Sequence, residues 1–186
     1  MQDPKITFKD LIDKYPELWR RETRDKGYFL FEEGTVAQKI SYLESGTLKV
    51  FCVNFNTDKE GVVHFFFPGD VAFPYNSFTQ RSPTLVNIEV LNDAVLWSIS
   101  KENWEKLKEF EPEVERLLMD VVLIAATQAG LYMMDNASCS NLERYERLCQ
   151  RMPQIKNINN EDVVSYLGIS TRTLNEIRAE VKAKSN

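Results

Sequence analysis

The spacing of hydrophobic positions changes character along the chain. Near the N-terminus Phe8, Leu11, Ile12, Tyr15, Leu18 and Trp19 recur every three or four residues. This predicts a short amphipathic helix over residues 7–22, interrupted at Pro16. From residue 28 the period shortens. YFLFEEG, KISYLESG, LKVFCVNF, GVVHFFFPGD and LVNIEVLNDAVLWSIS are short runs rich in β-branched and aromatic residues. Turn residues separate them, at Gly34, Ser45-Gly46, Asn56-Thr57-Asp58, Gly61, Pro68-Gly69-Asp70 and Asn92-Asp93. Short strands at regular intervals predict an antiparallel sandwich, roll or barrel over residues 28–100, with NTDKEG as a hairpin connection.

Helical spacing returns after residue 100. Trp104, Leu107 and Phe110 predict a short helix over residues 101–111, and Glu111-Pro112 opens a longer one running to about Met134. Two stripes run along it at steps of four and three. One is Leu117, Val121, Ile124, Gln128 and Leu131; the other is Leu118, Val122, Ala125, Ala129 and Tyr132. A surface helix needs one apolar face, so two stripes predict burial on two sides, one on the β-domain and one on a second subunit. Ala125, Ala126, Ala129 and Gly130 would let that second helix approach closely.

The last segment reads as three helices. SNLE at Ser140–Glu143 fits a capping box before a helix to about Arg151, where Pro153 stops it. Asn159 or Asn160 can cap a helix ending at Leu167, with Gly168 as its terminator. Ser170 can cap another, from Thr171 to about Lys182. Two short helices joined by Gly168-Ile169-Ser170 carry the signature of a helix-turn-helix. Val163, Val164, Leu167, Ile169, Leu174, Ile177 and Val181 form its inner face. Thr171, Arg172, Asn175, Arg178 and Lys182 form the outer one. Arg172 suits guanine O6 and N7, Asn175 suits adenine, and Thr171, Lys182 and Lys184 suit phosphate. Ser170 and Thr173, beside free amides at the helix start, also suit phosphate.

Charge agrees with that placement. The chain of 186 residues has net charge −5, but residues 141–186 carry +2 and the remainder −7. An acidic body with a mildly basic end restricts nucleic-acid contact to that end. Hydrophobic content of 43% and charged content of 27% suit a globular protein. No apolar run is expected to approach the ~20 residues of a membrane helix, and MQDPKITFKDLIDKYPELWRR lacks a signal-peptide core. The expectation is a cytoplasmic protein without membrane contact. Cys52, Cys139 and Cys149 share no C-x-x-C spacing, and His64 is the single histidine. No zinc, iron–sulfur or multi-histidine cupin site is expected. Nor is a Walker or dinucleotide glycine motif present. The reading is a non-enzyme with no metal and no cofactor.

FEEG, YLESGTLKVF, FPGD, AVLWSIS and VVSYLGISTRTLNEIR occur in an order that resembles the Crp/Fnr family of bacterial transcription regulators, over residues 20–182. The resemblance implies an α+β chain. It would have an N-terminal antiparallel β-roll of the double-stranded β-helix or jelly-roll type over residues 1–111. A dimerisation helix would follow over 112–136, then an all-α helix-turn-helix domain over 137–186; the lack of an evident wing there departs from the family. It implies a homodimer on DNA half-sites, a small-molecule effector, and RNA polymerase as a further contact. Family members often read DNA with Arg, Glu and Arg; here Thr171, Arg172 and Glu176 stand in their places, so the operator should differ. Val164 stands where a small residue is usual. Cyclic-AMP binders of the family resemble one another in a Gly-Glu-Leu…Arg-Ser phosphate cassette. A gap-free comparison from Gly69-Asp70 puts Phe73-Pro74-Tyr75 and Thr84-Leu85 at those positions. A buried phosphate needs a cation or several donors, and Arg81 lies three residues early. Phe73, Tyr75, Arg81, Thr84 and Leu85 are therefore expected to line a cavity that does not take cyclic AMP. The competing expectation is a ligand-sensing roll that acts through a protein partner, consistent with Glu176 and the acidic body.

Overall fold

The computed structural model describes residues 6–54, 56–57 and 59–184. The chain divides into two compact units, one of residues 1–52 and 64–125, the other of residues 53–63 and 126–186.

The first unit is built on β1 (Trp19–Arg24), β2 (Phe29–Phe31), β3 (Lys39–Asn54), β4 (Lys59–Phe66), β5 (Val71–Ala72) and β6 (Asn87–Ser100). They form one sheet in the order β1-β6-β3-β4, with β2 also on β6 and β5 also on β3. The pairs β1/β6, β2/β6, β3/β5 and β3/β6 are antiparallel. Strands β3 and β6 are long enough to pass through the whole roll, and their shared register shifts between Leu43 and Leu48. Gly46 sits at that irregularity with φ +99°, and a Cβ there would lie 2.7 Å from Ala94. Only glycine fits both the conformation and the close strand approach. The core beneath is Leu30, Ile40, Leu43, Leu48, Val90, Leu96, Ile99 and their neighbours.

One predicted element needs correction, and two elements were not predicted. The helix expected over residues 7–22 covers only α1 (Phe8–Lys14), opened by a Thr7–Asp10 capping box. A 3-10 turn follows at Pro16–Leu18, and residues 19–24 are β1. Proline lacks the amide that would continue the helix, and Trp19 to Arg24 pair instead with Ile99 to Ala94 of β6. The polar run Arg20-Arg21-Glu22-Thr23-Arg24 gave no strand signal. Its key residue is the half-buried Glu22, whose Oε1 accepts from Lys39 Nζ at 2.8 Å and Ser98 Oγ at 2.7 Å. Burial pushes the Glu22 carboxyl up, but the bonds from Lys39 and Ser98 outweigh it and hold the group below its ordinary value. The second unpredicted element is α2 (Tyr75–Gln80), a short helix inside the Pro- and aromatic-rich segment after β5. The predicted NTDKEG connection includes Asp58, which with Phe55 lies outside the described residues.

After α3 (Lys101–Phe110), capped by Ser100, the chain turns at Pro112 and enters α4 (Val114–Ser138). This helix starts two residues later and ends four residues later than predicted, and both units share it. By length and composition it could cross a membrane: an 18-residue window has mean hydropathy 1.7 with only 6% buried. The expectation that no segment approaches a span is corrected on that point, because isolated Asp120, Thr127 and Gln128 break the run without making the helix polar. Val114 and Leu118 bury into the roll core, whereas Met119, Leu123, Ile124, Leu131, Met133 and Met134 are exposed.

The second unit contains α5 (Asn141–Arg151), a 3-10 turn at Pro153–Asn157, α6 (Asn160–Leu167) and α7 (Thr171–Lys184). Ser140 and Glu143 form the predicted capping box. Its core is Tyr145, Leu148, Ile155, Val163, Tyr166, Leu167, Leu174 and Ile177. The C-terminal part of α4 joins this unit through Asp135, buried between Arg147 and Arg151, with Arg147 Nη1 at 2.8 Å. Residues 53–63, the tip of the β3–β4 hairpin, belong here too. The Val62 amide donates to Ser165 Oγ at 3.0 Å, and that hydroxyl donates to the Glu60 carbonyl at 2.8 Å. One serine thus occupies an amide and a carbonyl of the strand edge at once.

Candidate functional site

The α6–α7 pair has the local chemistry of the predicted motif. Asn159 caps α6 by accepting from the Asp162 amide at 2.8 Å. Gly168 closes it in the left-handed region at φ 65°, the conformation that lets the chain reverse within three residues. The Ile169 amide donates back to the Val164 carbonyl at 3.1 Å. Ser170 Oγ then accepts from the Thr173 amide at 3.1 Å and lies 2.8 Å from Thr173 Oγ1. Leu174 and Ile177 fix the inner face of α7.

Thr171, Arg172, Asn175 and Lys182 are exposed, as is Ser170, while Thr173 is half-buried. Arg172 is 89% exposed, and its Nε donates to Glu176 Oε1 at 2.9 Å. Lys184 pairs with Glu180 at 3.2 Å and Glu146 at 3.6 Å. The open side of α7 therefore carries both signs. Arg178 departs from the expected outward placement. Its Nε donates to Tyr145 Oη at 3.2 Å and its Nη1 to Asn160 Oδ1 at 2.6 Å. The guanidinium carbon lies 5.9 Å from the Tyr145 ring centre. At this position α7 faces α5, so the side chain is half-buried and ties the three helices together. Periodicity alone gave no sign of this, because an arginine stem covers apolar surface while its head finds partners.

The second candidate lies around α2. An open cavity of about 570 Å³ is lined by Pro74–Ser77, Gln80 and Ser82–Val86, none of them charged. Tyr75, Thr84 and Leu85 of the expected set line it; Phe73 and Arg81 do not. Phe73 packs its ring against Tyr75 and Phe78, with centroids 6.2 and 6.0 Å away. Arg81 caps α2 at φ 60° and donates from Nη1 to Gln38 Oε1 at 2.8 Å. Thr84 is buried; its amide donates to the Thr35 carbonyl at 2.8 Å, and its carbonyl accepts from the Gly34 amide at 2.8 Å. Leu85 is 80% exposed. Ser77 anchors α2 by accepting from the Ala37 amide at 2.8 Å. The Pro68-Gly69-Asp70 turn is held on β3, where the Gly69 amide donates to the Leu43 carbonyl and the Leu43 amide to the Asp70 carbonyl, both at 2.9 Å.

Along α4, Leu117, Val121 and Gln128 are half-buried, and Ile124 and Leu131 are exposed at 58% and 37%. The stripe thus ends in open apolar side chains. Among the described residues no group of three His, Cys, Asp or Glu side chains could hold a metal ion.

Comparison with known proteins bears on the fold. Residues 21–109 match the cyclic nucleotide-binding domain family. No curated protein matches the chain by sequence. Among solved structures the chain is similar to FixK2 from Bradyrhizobium japonicum, with 15% identity and a TM-score of 0.77, covering 90% of this chain and 86% of that one. It is similar to a CooA variant from Carboxydothermus hydrogenoformans, with 15% identity, a TM-score of 0.75 and coverage of 97% and 86%. A regulator assigned to the Crp/Fnr family from Eubacterium rectale matches at 14% identity and a TM-score of 0.71, with coverage of 96% and 84%. At such identities the likeness speaks for fold and not for ligand. Residues 21–109 thus match the cyclic nucleotide-binding domain, within a chain whose fold is similar to that of these regulators.

Proposed function

We propose that this chain is a DNA-binding transcription regulator of the Crp/Fnr type, acting as a cytoplasmic homodimer. The observation that carries the reading is the exposed start of α7, where Thr171, Arg172 and Asn175 face solvent beside the Ser170 cap, Arg172 bonded to Glu176. Residues at that end of a second helix reach base edges in the major groove. Arg172 reads guanine after release from Glu176, and Asn175 reads adenine. Ser170, Thr173 and Lys182 take phosphate; Arg178 supports the reading helix from behind. The open apolar residues Ile124 and Leu131 are the dimer seam, continued by Leu117, Val121 and Gln128. RNA polymerase is the further partner of such a regulator.

The uncharged α2 cavity supports an effector other than a cyclic nucleotide, because a cyclic phosphate there would meet no cation. Thermal melting with 1 mM-range cyclic AMP or cyclic GMP is expected to show no shift, and a clear rise in Tm with either sinks this part of the reading.

Fluorescence anisotropy with a randomised duplex pool tests the DNA reading. Binding should appear at low salt and fall steeply as salt rises. Arg172→Ala should lose roughly tenfold in affinity or more with folding intact. No binding to any duplex at low salt overturns it. A second reading, docking on a protein partner, draws on Glu176 bonded to Arg172 on the open side of α7. It predicts that Arg172→Ala leaves DNA behaviour untouched.

A further inference from the structure

The groove between α5, the Pro153–Asn157 turn and α7 holds charge that the fold does not use. It is an open depression of about 460 Å³. Tyr145 and Cys149 of α5 and Val181 of α7 give it an apolar floor, and Lys156, Arg178 and Lys182 line it with cations. Arg178 is the telling residue. Its Nε and Nη1 are committed to Tyr145 and Asn160, both neutral acceptors. Its Nη2 is buried and has no acceptor within the described chain. A guanidinium held this way, with one donor group unsatisfied and no carboxylate bonded to it, costs free energy that an anion would recover. Lys156 and Lys182 have no ion-pair partner among the described residues. The one acid in the lining, Glu146, is engaged by Lys184 at 3.6 Å.

We propose that this groove binds a phosphate monoester, with the phosphate at Arg178, Lys156 and Lys182 and the organic part over Tyr145, Cys149 and Val181. A carboxylate is the poorer fit. It favours the two-pronged face of an arginine, and here that fork is already broken by the bonds to Tyr145 and Asn160. A dianion with several equivalent oxygens can accept from two separate ammonium groups and, once the guanidinium turns toward the groove, from Nη2. The site lies wholly in the helical unit and owes nothing to the cavity at α2. It stands whether or not α7 reads DNA.

The test uses the whole chain with phenyl phosphate as probe. Phenyl phosphate should raise the Tm and slow alkylation of Cys149, read by peptide mass spectrometry, while exposed Cys52 reacts at its usual rate. Lys156→Gln and Lys182→Gln, both on exposed residues, should each weaken binding roughly fivefold without altering the unliganded Tm. Absence of binding at about 10 mM probe overturns the proposal. Equal binding by wild type and both variants also overturns it, because the phosphate then sits elsewhere. A duplex pool that displaces phenyl phosphate supports the site and assigns the phosphate to a DNA backbone. A pool that binds beside it supports the site and assigns it to a free phosphoester. Phenyl phosphate bound by a chain with no duplex affinity supports the site while removing the DNA reading.

Discussion

At the scale of single residues, two positions carry consequences that can be measured. His64, half-buried on β4 with its ring edge-on to Phe66 at 4.9 Å, is pushed down to about 4 from 6.5 by burial. Between those values the unfolded chain takes a proton that the folded chain refuses. Stability is therefore full above pH 6.5 and is lost as pH falls toward 4, by at most about 3 kcal/mol and less where solvent reaches the ring. Urea titrations at several pH values should show this slope, and His64→Gln should flatten it. Gly46→Ala combines an unfavourable φ with a Cβ set 2.7 Å from Ala94. A loss of roughly 2–4 kcal/mol in urea unfolding is expected; an unchanged midpoint would mean that β3 and β6 can part at no cost. The sequence singled out Gly46 as a turn. It could not show that the turn lies inside one continuous, bent strand, because only the facing Ala94 makes the position tight.

At the scale of elements, α4 was the most legible helix and the least settled in its surroundings. Its two stripes announced more than one buried face, yet only its two ends are buried here, at Val114 and Leu118 in the roll and at Asp135 in the helical unit. Ile124→Glu with Leu131→Glu should convert a dimer to monomers in sedimentation velocity while leaving the roll folded. A dimer that survives both changes would place the seam elsewhere. At the other end of α4, burial pushes the Asp135 carboxyl up, but hydrogen bonds from Arg151 and Arg147 prevail and keep it below its ordinary value. Its contribution is thus present above the ordinary carboxylate range and lost as pH falls below it. Asp135→Asn should cost about 1–3 kcal/mol, detected as earlier melting of the helical unit by circular dichroism. The helix-turn-helix was legible because capping residues, Gly168 and the inner apolar positions all act within a few residues of one another. Strand β1 was not, because its stability comes from the β6 ladder and from the Glu22 cluster, both distant in sequence.

At the scale of the whole molecule, the chain passes between its two units at three points, around residues 52, 63 and 125. The hairpin tip is thereby part of the helical unit, held at Ser165. Ser165→Ala removes both bonds to Glu60 and Val62, and amide exchange at Val62 should rise roughly five- to tenfold. Exchange unchanged by the substitution would mean that the tip is held by other contacts.

The sequence by itself determined what local chemistry can determine. It contained the alternation of strands and turns, the caps at Ser140 and Ser170, a cap at Asn159 or Asn160, the glycine stop at residue 168 and the apolar stripes of α4. Each depends on residues within one or two turns, where sterics and nearby hydrogen bonds dominate. The tertiary structure alone decided that Arg178 turns inward to Tyr145 and Asn160, leaving one buried donor without an acceptor beside a cationic groove. It alone made residues 19–24 a strand, and gave the α2 cavity a lining without charge. These outcomes depend on which distant groups become neighbours. A long flexible side chain or a polar strand is placed by the partners that burial brings to it, and their identity is not written in its own segment.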